Sequence, residues 1–143
     1  MNHDPLESLL RLRRLAVDEA RRGLADALRS ESEAARTIAA VEAAIEREAD
    51  VASSLAAGDA EVEAFAAWLR RIRPKQQAAH DAADEAEAAT GLARTVLGVA
   101  RAAVRAAEEM LAKHAAELHA QAERQVQAEL DEVAGRRRQA DPG

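Results

Sequence analysis

The chain has no cysteine and no tyrosine, one tryptophan, one phenylalanine, three prolines and six glycines in 143 residues. Each shortage excludes something. Without cysteine there is no disulfide framework and no thiolate metal site, which fits a reducing compartment. Aromatics are 1% of the chain, and Leu, Ile, Val and Phe together make up only about a fifth of it, too little for a globular core. No apolar run approaches the ~20 residues of a membrane span. The first 30 residues mix acids with arginines and lack the unbroken apolar stretch of a signal peptide. The expectation is a cytoplasmic chain with no direct membrane insertion.

What the chain does contain is alanine and charge. Hydrophobic residues reach 48% because alanine is so abundant, and 32% of residues are charged. An Ala/Glu/Arg/Leu-rich composition is the signature of long helices. The formal charge of −6 argues against nucleic acid as a partner.

Punctuation divides the chain into three pieces. Asp4, Pro5 and Glu7 mark a helix start, with Asp4 as N-cap, Pro5 where a missing N–H costs nothing, and Glu7 reaching back as in a capping box. The pattern then runs, past a lone Gly23, to Ser53, Ser54 and Gly58. Gly58 suits a left-handed C-cap and Asp59 a new N-cap. Phe65, Trp68, Leu69 and Ile72 follow at helical spacing, and Pro74 then removes a donor and restricts Arg73. Residues 59–73 read as a short helix or bent connector. From Pro74 the sequence stays helix-compatible to Ala134, with Gly135 as a C′ residue before a basic tail, 135–143. The expected architecture is all-α: one domain over 1–143, a long antiparallel two-helix coiled-coil hairpin with helices at about 5–52 and 74–134 and a short helical elbow at about 53–73.

The two long helices each carry a heptad seam. In the first, Leu10, Val17, Leu24, Glu31, Ile38 and Ile45 alternate with Leu6, Arg13, Ala20, Ala27, Ala34 and Val41. In the second, Leu97, Val104, Leu111 and Leu118 alternate with Ala93, Ala100, Ala107, His114, Gln121 and Ala128. If opposing residue numbers sum to about 138, large residues meet small ones in almost every layer. Registers shifted by whole heptads obey the same rule; equal helix lengths around the elbow favour 138. Roughly 50 to 60 residues per helix then give a rod of about 75 to 90 Å.

The first turns carry more leucine than one seam needs. With Leu6, Leu10 and Val17 turned inward, Leu9, Leu12 and Leu15 form a second apolar surface. Two readings stand: these leucines cover the end of the second helix, where Val126, Leu130 and Val133 shift phase relative to Leu118, or they dock another protein. Arg11, Arg13 and Arg14 are placed at the same end as Arg136, Arg137 and Arg138, making that end basic on an acidic chain.

The stretches "PLESLLRLRRLAVDEARRGLADAL", "VEAFAAWLRRI" and "QAERQVQAELDEVAGRRR" resemble the flagellar export protein FliJ family, which is related to the YscO type of the secretion injectisome. The resemblance covers nearly the whole chain. It implies a hairpin similar to the central stalk of rotary ATP synthases, docked in the pore of a hexameric export ATPase. It also implies contact with the cytoplasmic domain of the membrane export gate, handling of empty substrate chaperones, and a location at the export apparatus. On this resemblance the ATPase-binding end would comprise Leu6, Leu9, Leu12, Arg13, Leu15, Glu129, Glu132, Arg136 and Arg137. The gate surface would be Ile38, Val41 and Ile45, or the elbow with Phe65 and Trp68; those two aromatics also read as a plug packing the elbow. The chain has alanine where more glutamine, lysine and aromatics are expected of the family.

No catalytic constellation, cofactor site or metal site is found. The histidines are His3, His80, His114 and His119, and "HAAELH" spaces His114 and Glu117 for shared ligation, but a third ligand is missing and His114 falls on the seam as a tolerated core residue. Carboxylates a turn apart on an exposed rod have no pocket to desolvate them. Gly91 and Gly98 read as sites of close helix approach or bending, with no glycine-rich phosphate loop. The competing functions are a plain coiled-coil scaffold and an adaptor that binds export substrates without ATPase coupling.

Overall fold

The computed structural model describes residues 4–141, so His3 and the last two residues of the basic tail lie outside the described residues. Two helices pack against each other as an antiparallel hairpin: α1, Pro5–Ala52, and α2, Asp59–Ala140. They contain 48 and 82 residues, and the described residues contain no strand.

The helix ends follow from local chemistry. Asp4 Oδ1 accepts the Leu6 N–H at 2.9 Å, and the Ser8 N–H closes the first turn on the Asp4 carbonyl at 3.2 Å. At the far end, the Ser53 backbone and hydroxyl both donate to the Ala49 carbonyl, and the Ser54 backbone and hydroxyl both donate to that of Val51, so two of α1's last acceptors are satisfied by the serines that follow it. α2 opens with one half of a capping box: the Gly58 N–H donates to Glu61 Oε2 at 2.8 Å, and the Gly58 carbonyl accepts the first helical bond from the Val62 N–H.

This arrangement corrects the expectation for Gly58. It is the N-cap of α2, with Asp59 already helical, and no described glycine has a positive φ. Gly135 likewise lies inside α2, which continues to Ala140 through most of the tail. Nor do Gly91 and Gly98 mark a close approach, because a Cβ on either would meet nothing within 4 Å.

The elbow is also shorter than expected. Only residues 53–58 connect the helices, and α2 passes straight through Pro74, which stands exposed inside it. The missing N–H leaves the Arg70 carbonyl without its helical donor, yet half-buried side chains hold the turns on both sides: Trp68, Leu69 and Ile72 before Pro74, Gln76 and the buried Ala79 after it. Packing overrides the local penalty.

Residues 17–99 form one compact unit. Glu42 and His80 pair across it at 3.4 Å, placing opposing residue numbers near a sum of 122. The seam positions agree at 124: Ala27 is level with Leu97, Ala34 with Thr90, and Ile45 with Ala79, all buried or half-buried. Thr90 is 1% exposed and satisfies its hydroxyl on the Ala86 carbonyl at 3.1 Å. The register is therefore two heptads away from the expected 138. The large-to-small rule repeats every seven residues and holds equally well in both registers; the assumption of equal arms selected the wrong one.

The second unit comprises the described parts of residues 1–16 and 100–143. Arg14 and Glu108 form an ion pair at 3.5 Å, again a sum of 122, and Ala107 is 2% exposed. Beyond the half-buried Leu111, every described residue of α2 from 112 onward is exposed.

Candidate partner-binding surfaces

The first turns of α1 divide their leucines between two faces. Leu6, Leu9 and Leu10 are half-buried, whereas Leu12 and Leu15 remain 62% and 55% exposed. Leu9 therefore packs, contrary to the expectation that it lies off the seam with the other two. Arg13 is exposed beside them, and its neighbour Arg14 holds Glu108.

Glu129, Glu132, Arg136 and Arg137 are not brought to these leucines. With Arg14 level with Glu108, α1 at Arg11 lies near residue 111 of α2, about 25 residues short of Arg136. At a rise of ~1.5 Å per residue that is roughly 35 to 40 Å along the helix. The expected single basic end is two separate clusters. The reading in which Leu9, Leu12 and Leu15 cover Val126, Leu130 and Val133 fails for the same reason, since those three stay 56%, 59% and 49% exposed.

The C-terminal stretch of α2 has no described partner on any face. Its alanines supply helix propensity, and exposed pairs one turn apart support it: His119 with Glu123 at 3.7 Å, Gln127 with Asp131 at 2.9 Å, and Arg136 with Glu132 at 2.5 Å. Val126, Leu130 and Val133 fall at the four-three spacing of a coiled-coil seam and form a bare stripe. That spacing is legible in the sequence; that nothing covers it is not.

Of the residues expected at a gate surface, Ile38, Val41 and Ile45 are half-buried on the seam side of the 17–99 unit. Phe65 and Trp68 stack with ring centroids 6.2 Å apart and 26° between planes. With Glu48, Val51, Glu61 and Arg71 they line a groove of about 350 Å³ between the end of α1 and the start of α2. Val62 and the fully exposed Leu55 add apolar surface on the start of α2 and the connection before it.

The histidines make no cluster. His114 is exposed, not the core residue its heptad position suggests: the register places it level with the first turns of α1, where α2 is exposed from residue 112 onward. Among the described residues there is no group of three or more His, Cys, Asp or Glu side chains able to hold a metal, and no helix long and apolar enough to cross a membrane.

These features describe an all-helical hairpin with bare apolar stripes. A family model described as the flagellar FliJ protein matches residues 1–142. The chain belongs to the FliJ family. No curated protein and no solved structure matches it. Family membership makes the chain a component of the flagellar protein export apparatus.

Proposed function

We propose that this FliJ-family chain acts as a stalk, binding the hexameric export ATPase and linking it to the export gate and to substrate chaperones. The observation that carries this reading is the unpaired end of α2, a helix that buries nothing of its own and presents Val126, Leu130 and Val133. A ring pore lined by subunit loops is a suitable host for a single helix with one apolar stripe and flanking charges, here Glu129, Glu132, Arg136 and Arg137. Leu12, Leu15 and Arg13, with the half-buried Leu6 and Leu9 behind them, form a second contact closer to the paired region.

A stalk of this kind does no chemistry. A single asymmetric helix in a six-fold ring contacts some subunit interfaces better than others. Coupling then means that its affinity differs between nucleotide states, by ~1.4 kcal/mol for each tenfold. The groove around Phe65 and Trp68 is the better candidate for the gate than Ile38, Val41 and Ile45, whose apolar surface is already half-engaged in the pair. Chaperone handling is assigned to the same cytoplasmic assembly, without a residue set.

The test is ATP hydrolysis by the export ATPase of the same organism, titrated with the wild-type chain, with Leu12→Gln/Leu15→Gln, and with Leu130→Gln/Val133→Gln. Stimulation by wild type that is lost in the second variant, with helix content unchanged by circular dichroism, supports the stalk. If wild type gives no stimulation of an active ATPase, the chain is a spacer or a substrate adaptor; stimulation undiminished in both variants moves the contact away from these two stripes.

A further inference from the structure

The bare stripe of α2 also carries the chemistry to recognise itself, and we infer that the chain self-associates through an antiparallel pairing of residues 123–140 with the same segment of a second copy. The seam spacing places Val126, Val133 and Ala140 at one core position and Glu123, Leu130 and Arg137 at the other. Glu129 and Arg136 each sit one residue before a core position, where flanking charges of a coiled coil choose partner and orientation.

The charges select one arrangement. A parallel in-register pair sets Arg137 against Arg137 and Glu123 against Glu123 in the core, which is repulsive twice over. An antiparallel pair with opposing numbers summing to 256 sets Glu129 against Glu129. The antiparallel pair with core layers summing to 263 instead puts Leu130 against Val133 of the second copy, twice by symmetry. It brings Glu129 beside Arg136 of the second copy, and Arg137, opposite the small Val126, within reach of Glu123. Four interchain ion pairs then flank a closed apolar centre. Arg136 already pairs with Glu132 of its own helix, and a guanidinium with five donors can serve both carboxylates.

Two and a half heptads form a small interface, so the association is weak. Because the pairing covers Val126, Leu130 and Val133, it excludes ring docking through the same stripe; that consequence rests on the proposed function, the pairing does not.

Sedimentation equilibrium of the full chain over a concentration series tests it. Wild type is expected to rise from monomer mass toward dimer mass. Glu129→Arg alone places arginine opposite Arg136, and Arg136→Glu alone places glutamate opposite Glu129, so each is expected to weaken association at least about tenfold. An equimolar mixture of the two single variants, and the double variant carrying both changes, are expected to restore it, because each recovers opposite charges across the interface. A wild-type chain that stays monomeric up to about 500 µM, single variants that associate like wild type, or a mixture that behaves as the sum of its parts each overturn the proposal. None of these readouts involves the ATPase, so loss of the stalk reading and loss of self-pairing are separate results.

Discussion

Leu97 and Leu130 are the same residue type on the same helix, and their surroundings assign them opposite roles. Leu97 is 6% exposed at the level of Ala27, whereas Leu130 is 59% exposed. Leu97→Ala removes buried methyl groups and leaves a gap against a small neighbour, so it is expected to cost about 2–4 kcal/mol. Leu130→Ala gives up nothing that folding buries, and its effect is expected to stay within about 0.5 kcal/mol. Urea denaturation of both variants checks the pair, and equal losses would mean that the stripe is covered in solution. A second test concerns the start of α2, where Glu61 caps Gly58. Glu61→Ala leaves that N–H to water and removes an acid from the first turn, so a loss of about 0.5–1 kcal/mol is expected in the same measurement. A Cβ on Gly58 would stand 3.1 Å from Glu61 Oε2, close enough that the carboxylate must shift to keep the cap.

Pro74 shows how far packing overrides a local stop signal. The proline is exposed, deprives the Arg70 carbonyl of a donor, and still sits within an 82-residue helix. Pro74→Ala restores the bond without disturbing a buried neighbour. It is expected to stabilise the fold by about 1–3 kcal/mol, seen as a rise of several degrees in the thermal midpoint. A lower midpoint would show that the proline's geometry is part of the packing. Sequence reasoning placed an elbow here because proline chemistry is local, whereas the half-buried Trp68, Leu69 and Ile72 that bridge the break are a property of the pair. The seams were legible for the converse reason. Val17, Ala20, Ala27, Ala34 and Ile45 are spaced by the helix itself, and all are buried or half-buried. The register was not legible, since a seven-residue repeat is satisfied by any whole-heptad shift. The contacts Glu42–His80 and Arg14–Glu108 decide it, and each is visible only once the helices are side by side.

At the scale of the whole chain, the short connection at 53–58 has a simple consequence: helices of 48 and 82 residues cannot match in length, and the surplus falls at the end of α2. Two of the expected site groups, Leu12 with Leu15 and Glu129 with Arg136, are separated by this surplus. The unpaired part remains helical because its nucleation is supplied by the paired turns before it, so only propagation through Ala, Glu, Gln and Arg is required. A helix held in this way adds little to the stability of what it extends. A chain truncated after Ala120 is therefore expected to keep its thermal midpoint within about 3 °C of the full chain, a shift of ~1 kcal/mol or less at this size. The same truncation removes Val126, Leu130, Val133 and the flanking charges, so under the proposed function it is expected to abolish stimulation of the export ATPase. A midpoint lowered by ten degrees or more would place the end of α2 inside the fold. An unchanged midpoint with undiminished stimulation would move the ATPase contact to Leu12 and Leu15. An unchanged midpoint with stimulation lost would separate folding from docking along one helix, with the paired turns supplying rigidity and the bare turns supplying the contact.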